Sequence, residues 1–226
     1  MASKTKTKPG ERPLRGKGAR RASVKVKRSA DVPWLPIATL AVLVLLAIGM
    51  ITYIVINNRP TPLPATVAGI PCDHLEHTQV HYHAALQIMY SGTITPIPAN
   101  IGISGDPAAP TCYYWLHVHP ANTNVIHIES PASDVFTLGQ FFQIWNAWAK
   151  SNAYPSVALN AGQVATFKLT SDQKLVAYYD LQDGKGPQVW TGDPATIPLK
   201  AHEVITLEIT PPAATTPPSF TFTSGL

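Results

Sequence analysis

The sequence predicts a mainly β protein of the α+β class, in which one N-terminal transmembrane helix precedes an antiparallel β-sandwich or barrel-like domain with one amphipathic helix. Three observations support this fold class. A run without any charged residue extends from Trp34 to Ile56. Most of the chain beyond it alternates apolar and polar residues with a period of two, which is typical of strands. One later segment, residues 137–151, instead repeats apolar residues every three or four positions, as amphipathic helices do.

Residues 1–33 are predicted to form a basic, disordered cytoplasmic tail. Residues 1–31 hold eleven of the seventeen Lys and Arg residues and only two acids, and the tail has no apolar periodicity. No aromatic residue lies among the basic ones, although stacking on single-stranded nucleic acid would need them. We therefore expect no nucleic-acid partner. The tail is expected to set membrane topology and to contact anionic lipid headgroups.

Residues 34–57 are predicted to span a membrane. At about 1.5 Å per residue they are long enough to cross a hydrocarbon core of about 30 Å. A cleaved signal peptide would have a shorter apolar region of about 7–15 residues, so we favour an uncleaved signal-anchor, although cleavage stays open. The basic flank should remain inside. This predicts a single-pass protein of the plasma (inner) membrane, with the bilayer as a partner and the C-terminal domain extracytoplasmic.

The outward part of the chain divides into three stretches. Residues 58–68 are a Pro-rich linker, predicted to be stiff and extended. Residues 69–210 are predicted to form the extracytoplasmic β-rich domain, and residues 211–226 a Pro- and Thr-rich tail that does not pack as a core element. The predicted strands of the domain are segments 78–90, 93–103, 113–119, 125–129, 163–170, 174–180, 196–200 and 203–210.

The amphipathic helix is predicted over "TLGQFFQIWNAWAKS", residues 137–151. Thr137 is a good N-cap, and Gln140 three positions later completes a capping-box pattern. We interpret the apolar face as the surface that packs on the sheet rather than as a cofactor site. Its members are Leu138, Phe141, Phe142, Trp145 and Trp148.

The chain has two cysteines, Cys72 and Cys112, and both lie on the predicted outward side. In an oxidising compartment such a pair is expected to form a disulfide. The alternative is that both are thiolate metal ligands. Their separation does not resemble the spacing of a zinc-finger knuckle, so we favour the disulfide.

Histidines recur at every second position on two predicted strands. Residues i and i+2 of a strand point to the same face, so His81 shares a face with His83, and His117 with His119. A hairpin symmetric about Asn122 would place His117 opposite His127, with Cβ atoms about 4.5–5.5 Å apart. If the strand that carries His81 and His83 pairs beside this hairpin, five histidines line one patch.

We predict that this patch binds a transition metal, Zn or Cu, through its ring nitrogens. The predicted ligands are His81, His83, His117, His119 and His127. Three further residues, Glu129, Glu76 and His77, are expected either to act as ligands or to orient the ligand rings. The alternative interpretation is a polar, partly buried face whose histidines bond each other and the backbone.

These motifs also resemble a known group of proteins. Cys72, Glu76, His81 and His83 form C-x3-E-x4-H-x-H, and "CYYWLHVH" and "VIHIESP" follow downstream. The combination is similar to a family of exported or membrane-anchored bacterial proteins that carry Tyr-Trp-Leu-His-Thr-His followed by Ile-His-Ile-Glu. The resemblance covers about residues 70–150 and departs at Val118 and the "PANTN" loop. It implies that the His-rich strands belong together, and it implies no particular activity.

Three functions remain open at the level of sequence. The first is a membrane-anchored extracytoplasmic protein that binds the metal through the histidine cluster. The second is a non-catalytic accessory subunit of a membrane protein complex, with purely structural histidines. The third is a zinc-dependent hydrolase or hydratase, in which an open coordination position would activate water.

Overall fold

The computed structural model describes residues 33–60, 62–211 and 216–226. The chain divides into two units, of which the first ends at Arg59 and the second extends from Pro60 to Leu226. The predicted cytoplasmic tail lies outside the described residues except for Pro33. The first unit contains helix α1, Trp34–Asn57, which matches the predicted bounds. It is long and apolar enough to cross a membrane, and an N-terminal signal sequence would meet the same criterion.

The second unit is built mostly of short strands, with one further α-helix, α2, at Leu138–Ser151. Its strands within the described ranges are β1 Cys72–Asp73, β2 Val80–Tyr90, β3 Thr93–Thr95, β4 Ile103–Asp106, β5 Ala109–Tyr114, β6 Leu116–His117, β7 Val125–Ser130, β8 Ala158–Asn160, β9 Gln163–Ala165, β10 Phe167–Lys168, β11 Lys174–Asp180, β12 Gln188–Val189 and β13 Val204–Thr210.

The largest sheet has the strand order β12-β11-β13-β2-β7-β6, and β3 pairs with β2 as well. Its pairs are antiparallel with one exception, because β13 runs parallel to β2. Within the described ranges no sheet closes on itself, since the large sheet ends in the two-residue strands β12 and β6. The prediction of a mostly antiparallel, β-rich domain is therefore confirmed, whereas the barrel-like closure is wrong because the sheets are open.

Strand β2 lies at the centre of this sheet and carries the predicted alternation. Ala84, Leu86 and Ile88 face the hydrophobic core. The opposite face begins with His81 and His83 and is buried from His83 onward. At its start β2 is paired with β7, from Val80 to Ala85, and β13 pairs with its other edge from Ala85 onward.

Helix α2 packs against the sheets at β6 and β8. It begins with the predicted capping box: the Thr137 hydroxyl accepts from the Gln140 backbone N–H, and the Gln140 side chain accepts from the Thr137 N–H. Of the predicted apolar face, Trp148 is only partly buried. The buried positions of the helix are Leu138, Phe141, Phe142, Ile144, Trp145 and Ala149.

Two predicted strands have a different form. Residues 196–200 were expected to be extended, but Pro194–Thr196 form a 3₁₀ turn that Asp193 caps with its side chain. The segment 163–170 is split into β9 and β10, which pair with each other as a tight antiparallel turn. Ala165, at the break, has a positive φ of 49°, which ends the extended run that its neighbours favour.

The stretches on either side of the domain also contact it. In the predicted linker, the Ala65 carbonyl accepts a 2.6 Å hydrogen bond from the Tyr114 hydroxyl, and Val67 forms an isolated bridge with Ile70. In the tail, of which residues 212–215 lie outside the described ranges, the Leu226 carbonyl lies 3.0 Å from the His202 ring. The described tail residues form no strand, but Pro217 is buried, and the ring centroids of Phe222 and His202 lie 5.1 Å apart.

Candidate metal centre

Three neighbouring strands place one histidine each in a row. In the register of β2 and β7, His83 lies opposite His127, and in the register of β7 and β6, His127 lies opposite His117. The predicted hairpin register is therefore confirmed, as is the pairing of β2 beside the hairpin. The row forms because period-two alternation turns all three rings to the same face of the sheet.

His81 and His119 extend this row at its two ends. The Nε2 atom of His81 lies 3.1 Å from Nε2 of His83, and Nε2 of His119 lies 3.1 Å from Nε2 of His117. His81 belongs to β2, but β6 ends at His117, so His119 reaches the cluster from the following loop. All five predicted histidines thus meet in one neighbourhood.

Four of the ligand atoms form a closed ring of short contacts at the β2 end of the row. Nε2 of His83 lies 3.1 Å from Nε2 of His81 and 3.2 Å from Nδ1 of His127. An oxygen of Glu129, Oε1, lies 3.2 Å from Nε2 of His81 and 3.6 Å from Nδ1 of His127. A metal bound tetrahedrally at about 2.0–2.1 Å has ligand atoms about 3.3–3.4 Å apart. We call His81, His83, His127 and Glu129 the first ligand set.

A second group of ligand atoms lies at the hairpin end of the row. Oε1 of Glu76 is 3.0 Å from Nε2 of His119 and 3.4 Å from Nε2 of His117. The Nδ1 atom of His117 lies 2.9 Å from the Tyr114 carbonyl. Because that carbonyl can only accept, His117 carries its proton on Nδ1 and offers a lone pair on Nε2. We call His117, His119 and Glu76 the second ligand set.

Burial changes across the cluster in a way that suits ion entry. His117 has no exposed surface, and His83, His127 and Glu129 are also buried. The outer side chains are more accessible, at 46% of the side chain for His81 and 36% for Glu76. Buried rings hold fixed positions, while the outer groups leave a path from solvent.

The electrostatics of the cluster favour neutral rings and ionised carboxylates. Burial, together with the neighbouring His127 and His81, lowers the pKa of His83 to about 4. Burial and the proximity of His117 lower the pKa of His119 as well. The contact with His117 lowers the pKa of Glu76, and this outweighs the opposing effect of burial. At neutral pH these are the protonation states in which imidazole and carboxylate bind metal.

Two opposing effects determine the pKa of Glu129. Its burial opposes ionisation, but the contact with His127 and the nearby His117 and His81 outweigh it and leave the pKa below the usual range. The carboxylate therefore supplies a negative charge near His83 and His119, the two rings whose pKa values are lowered. A bound dication would be attracted to that charge at short range in a partly dry environment.

The segment after β1 positions Glu76. Strand β1 pairs with β5, and the Cys72–Cys112 disulfide joins the two with a sequence separation of 40. Asp73 then accepts hydrogen bonds of 2.7 Å from the Trp115 indole N–H and from the His77 ring. His77, predicted as a ligand or an orienting partner, therefore contacts Asp73 in the structure and lies outside both ligand sets.

Gly102 is a residue of the site region that sequence reasoning did not single out. It has a positive φ of 76°, and a Cβ atom there would lie 2.5 Å from the Leu116 carbonyl oxygen and 3.0 Å from Cβ of His117. The backbone around it bonds the hairpin on both sides, from Asn100 N–H to Val118 and from Val118 N–H to Ile101. The available signal was "ANIG", where a turn of Asn and Gly precedes a strand.

The fold and the site together define a β-rich domain with histidine and glutamate groups that could hold a metal ion. Two such groups share His127 within the described residues: one is His81, His83 and His127, and the other is His117, His119, His127 and Glu129. Glu129 therefore lies within reach of both ligand sets. No family model, curated protein or solved structure matches the chain. The resemblance to exported or anchored bacterial proteins therefore gains no support from these comparisons, and the function has to be argued from the geometry of the cluster.

Proposed function

We propose that the protein binds a transition metal, Zn²⁺ or Cu²⁺, through its strand-borne histidine cluster, and that it does so as a membrane-anchored domain outside the cytoplasm. The proposed ligands are drawn from His81, His83, His117, His119 and His127, with Glu129 and Glu76 as the carboxylates. The protein presents nitrogen and oxygen donors, and both cysteines are tied in the disulfide. Imidazole-rich sets of this kind suit zinc and copper.

The observation that carries the proposal is the convergence of ligand atoms in two groups that share His127. Those of His81, His83 and His127 all lie within 4.8 Å of one another, as do those of His117, His119, His127 and Glu129. In the first ligand set, neighbouring atoms are separated by 3.1–3.6 Å along the contacts that join them. Hydrogen bonding alone is a poor account of it, because Nε2 of His83 faces two other ring nitrogens at once. One imidazole nitrogen offers a single donor or acceptor direction in the ring plane, whereas an ion would engage all the converging lone pairs.

The proposed location rests on α1 and the disulfide. Helix α1 could be a membrane anchor or a signal sequence, and a disulfide indicates an oxidising compartment. With the basic N-terminal flank retained in the cytoplasm, the domain would face outward in a single-pass arrangement. The lipid bilayer would then be its partner, joined by subunits of a membrane complex in the accessory-subunit alternative.

Metal analysis of the full-length chain in detergent tests the binding function. The protein is stripped with a chelator, exchanged into Zn²⁺ or Cu²⁺, freed of excess ion and analysed by mass spectrometry for metal per chain. We expect stoichiometric metal in the wild type and a loss of at least one ion per chain in the double variant His83→Ala, His127→Ala. His74→Ala is the matched control, because His74 is exposed and bonds only the Thr111 carbonyl.

Two results would overturn the proposal. One is a wild-type chain without stoichiometric metal, which would instead favour the accessory-subunit function with structural histidines. The other is unchanged metal content in the double variant, with the native fold verified by circular dichroism. Either result would show that the histidine cluster is not the binding site.

A further inference from the structure

The cluster holds more ligand groups than one ion can use. Five histidines and two glutamates lie within contact distance of one another along the row. Zinc in proteins is almost always four-coordinate. Their contacts divide them into the first ligand set, around His83, and the second ligand set, around His117. His127 lies on the strand between the two.

His127 is the residue that can serve both sets. Its Nδ1 atom belongs to the first set, at 3.2 Å from Nε2 of His83. Its Nε2 atom is buried and has no hydrogen-bond partner within the part of the chain that the structure describes. The ring centroid of His127 lies 4.6 Å from that of His119 and 5.4 Å from that of His117.

A buried nitrogen without a partner is unusual in a folded protein. The other rings of the cluster each pair their Nε2 atoms with a neighbouring nitrogen or carboxylate. An ion held by the second ligand set would give Nε2 of His127 the partner it lacks. The same ion would then have four protein ligands, as the ion in the first set has.

We propose that the cluster is a dinuclear centre in which the His127 imidazolate bridges two metal ions. This inference rests on the proposed metal-binding function. One ion takes His81, His83, Glu129 and Nδ1 of His127, and the other takes His117, His119, Glu76 and Nε2 of His127. With bonds of about 2.0–2.1 Å the two ions lie about 6 Å apart. His127 releases its ring proton to solvent when the second ion binds.

The number of zinc ions bound per chain tests the dinuclear centre separately from the metal-binding function on which it rests. The full-length chain in detergent is stripped, titrated with Zn²⁺ and analysed for bound zinc per chain. Two zinc ions per chain support the dinuclear centre. One ion per chain overturns it and leaves the proposed function standing, with the remaining side chains as hydrogen-bond partners of a mononuclear site. A chain that binds neither zinc nor, in the same titration, copper overturns both.

Single variants at the two ends of the row test whether the ions occupy separate sets. His81→Ala removes a ligand from the first set only, and His119→Ala from the second only. Both side chains are partly exposed, so neither truncation empties the core. We expect each variant to bind one ion and the control His74→Ala to bind two. Two ions in either variant, or no ion in a folded variant, contradicts the division.

Copper tests the bridge directly in the wild-type chain. Two Cu²⁺ ions joined by one imidazolate are magnetically coupled, so the fully loaded protein should show most of its mononuclear electron paramagnetic resonance signal lost. The half-loaded protein, and His119→Ala loaded with one ion, should show a normal mononuclear spectrum. A fully loaded wild type whose signal integrates to two uncoupled copper ions would overturn the shared imidazolate.

Discussion

His117 is the most constrained side chain of the cluster. It is fully buried, its Nδ1 atom bonds the Tyr114 carbonyl, and its ring lies nearly parallel to that of His127. A fixed ring with a fixed tautomer offers its lone pair in one direction only, which lowers the reorganisation needed to bind an ion. The positions of the ligand atoms in the second set therefore depend on the contacts that fix the backbone of β6.

Gly102 is the residue that packs most closely against this backbone, and we predict that Gly102→Ala both destabilises the domain and weakens metal binding. The added Cβ would lie 2.5 Å from the Leu116 carbonyl oxygen, so β6 must shift. The left-handed backbone costs an alanine about 1–2 kcal/mol, and the displacement adds about 1–3 kcal/mol. Urea unfolding and zinc competition should show this loss and an affinity about tenfold lower or more.

Gly92→Ala is the matched control for that variant. Gly92 has the same positive φ of 76° but nothing within 4 Å of its added Cβ. The Gly92→Ala variant should lose only about 1–2 kcal/mol of unfolding free energy, from the left-handed backbone, and should keep its zinc affinity. Equal effects of the two substitutions would show that the contact of Gly102 with β6 does not position the site.

Glu203 makes stability depend on pH. Burial raises the pKa of its carboxyl from 4.5 to about 7, and Oε2 accepts from the Lys200 N–H at 3.2 Å. The folded chain thus binds this proton more readily than the unfolded chain. The stabilising contribution is full below pH 4.5 and is lost as the pH rises through about 7. At 1.36 kcal/mol per pKa unit the change is on the order of 3 kcal/mol.

We therefore predict that Glu203→Gln, which stays neutral, gains stability relative to wild type as the pH rises from 4.5 to 8. Denaturant unfolding of the metal-free protein across this range gives the difference in free energy between variant and wild type. Comparing the two cancels the opposite contribution of His83, whose lowered pKa destabilises both proteins at acidic pH. Asp134→Asn, at an exposed acid, controls for the lost charge. A pH-independent difference for Glu203→Gln would contradict the prediction.

Among the elements, the hairpin of β6 and β7 could be predicted from sequence, but the placement of Glu76 beside its histidines could not. Alternation fixes which residues share a face, and the short "PANTN" loop fixes the register, so the opposition of His117 and His127 follows. Glu76 lies outside any regular strand and reaches the rings only through the fold of the segment after β1. No periodicity reports such a placement, because it depends on tertiary contacts.

The disulfide joins β1 and β5, and we predict that its loss affects the second ligand set more than the first. Cys72→Ser, Cys112→Ser should cost about 3–4 kcal/mol of stability for a loop of this length. Glu76 follows Cys72 by four residues, so its carboxylate loses its fixed approach to His117 and His119. The first set, on β2 and β7, keeps its backbone. In a metal titration of the serine variant, the ion held by the second ligand set should be the more weakly bound one and should be lost first.

Wild-type protein treated with a reductant serves as the control, since it breaks the same bond without a substitution. It should reproduce both the lower stability and the altered titration. If the serine variant binds metal as the oxidised wild type does, the disulfide has no part in positioning Glu76.

For the whole molecule, sequence predicted the β-rich class, the apolar helix and α2, but not the path of the large sheet. Local alternation identifies strands without naming their partners. The parallel pairing of β13 with β2 joins segments more than a hundred positions apart, with the Thr206 hydroxyl bonded to Gln87 across a separation of 119 residues. A hairpin-by-hairpin interpretation cannot find such a pair, so the sequence could predict mostly antiparallel strands but neither this parallel pairing nor the open path of the sheet.

The proposed topology predicts that the intact chain remains membrane-bound with its domain outside. In cells that express the protein, carbonate-washed membranes should contain a chain of full-length mass. Protease added to intact spheroplasts should digest the C-terminal domain and leave a cytoplasmic marker protein untouched. A shortened, soluble chain that lacks residues 34–57 would show that α1 acts as a cleaved signal sequence.

The parallel pairing of β2 with β13 also sets an order of assembly. Ribosomes make β2 early and β13 near the end, yet His202 N–H bonds the His83 carbonyl, and Ala85 N–H bonds the Glu203 carbonyl, just where β13 begins. The backbone beneath His83 therefore has its final partner only after almost the whole domain has been synthesised. Contacts of such long range slow folding. Under the proposed function, the ions would thus enter a finished domain, in the compartment in which folding ends.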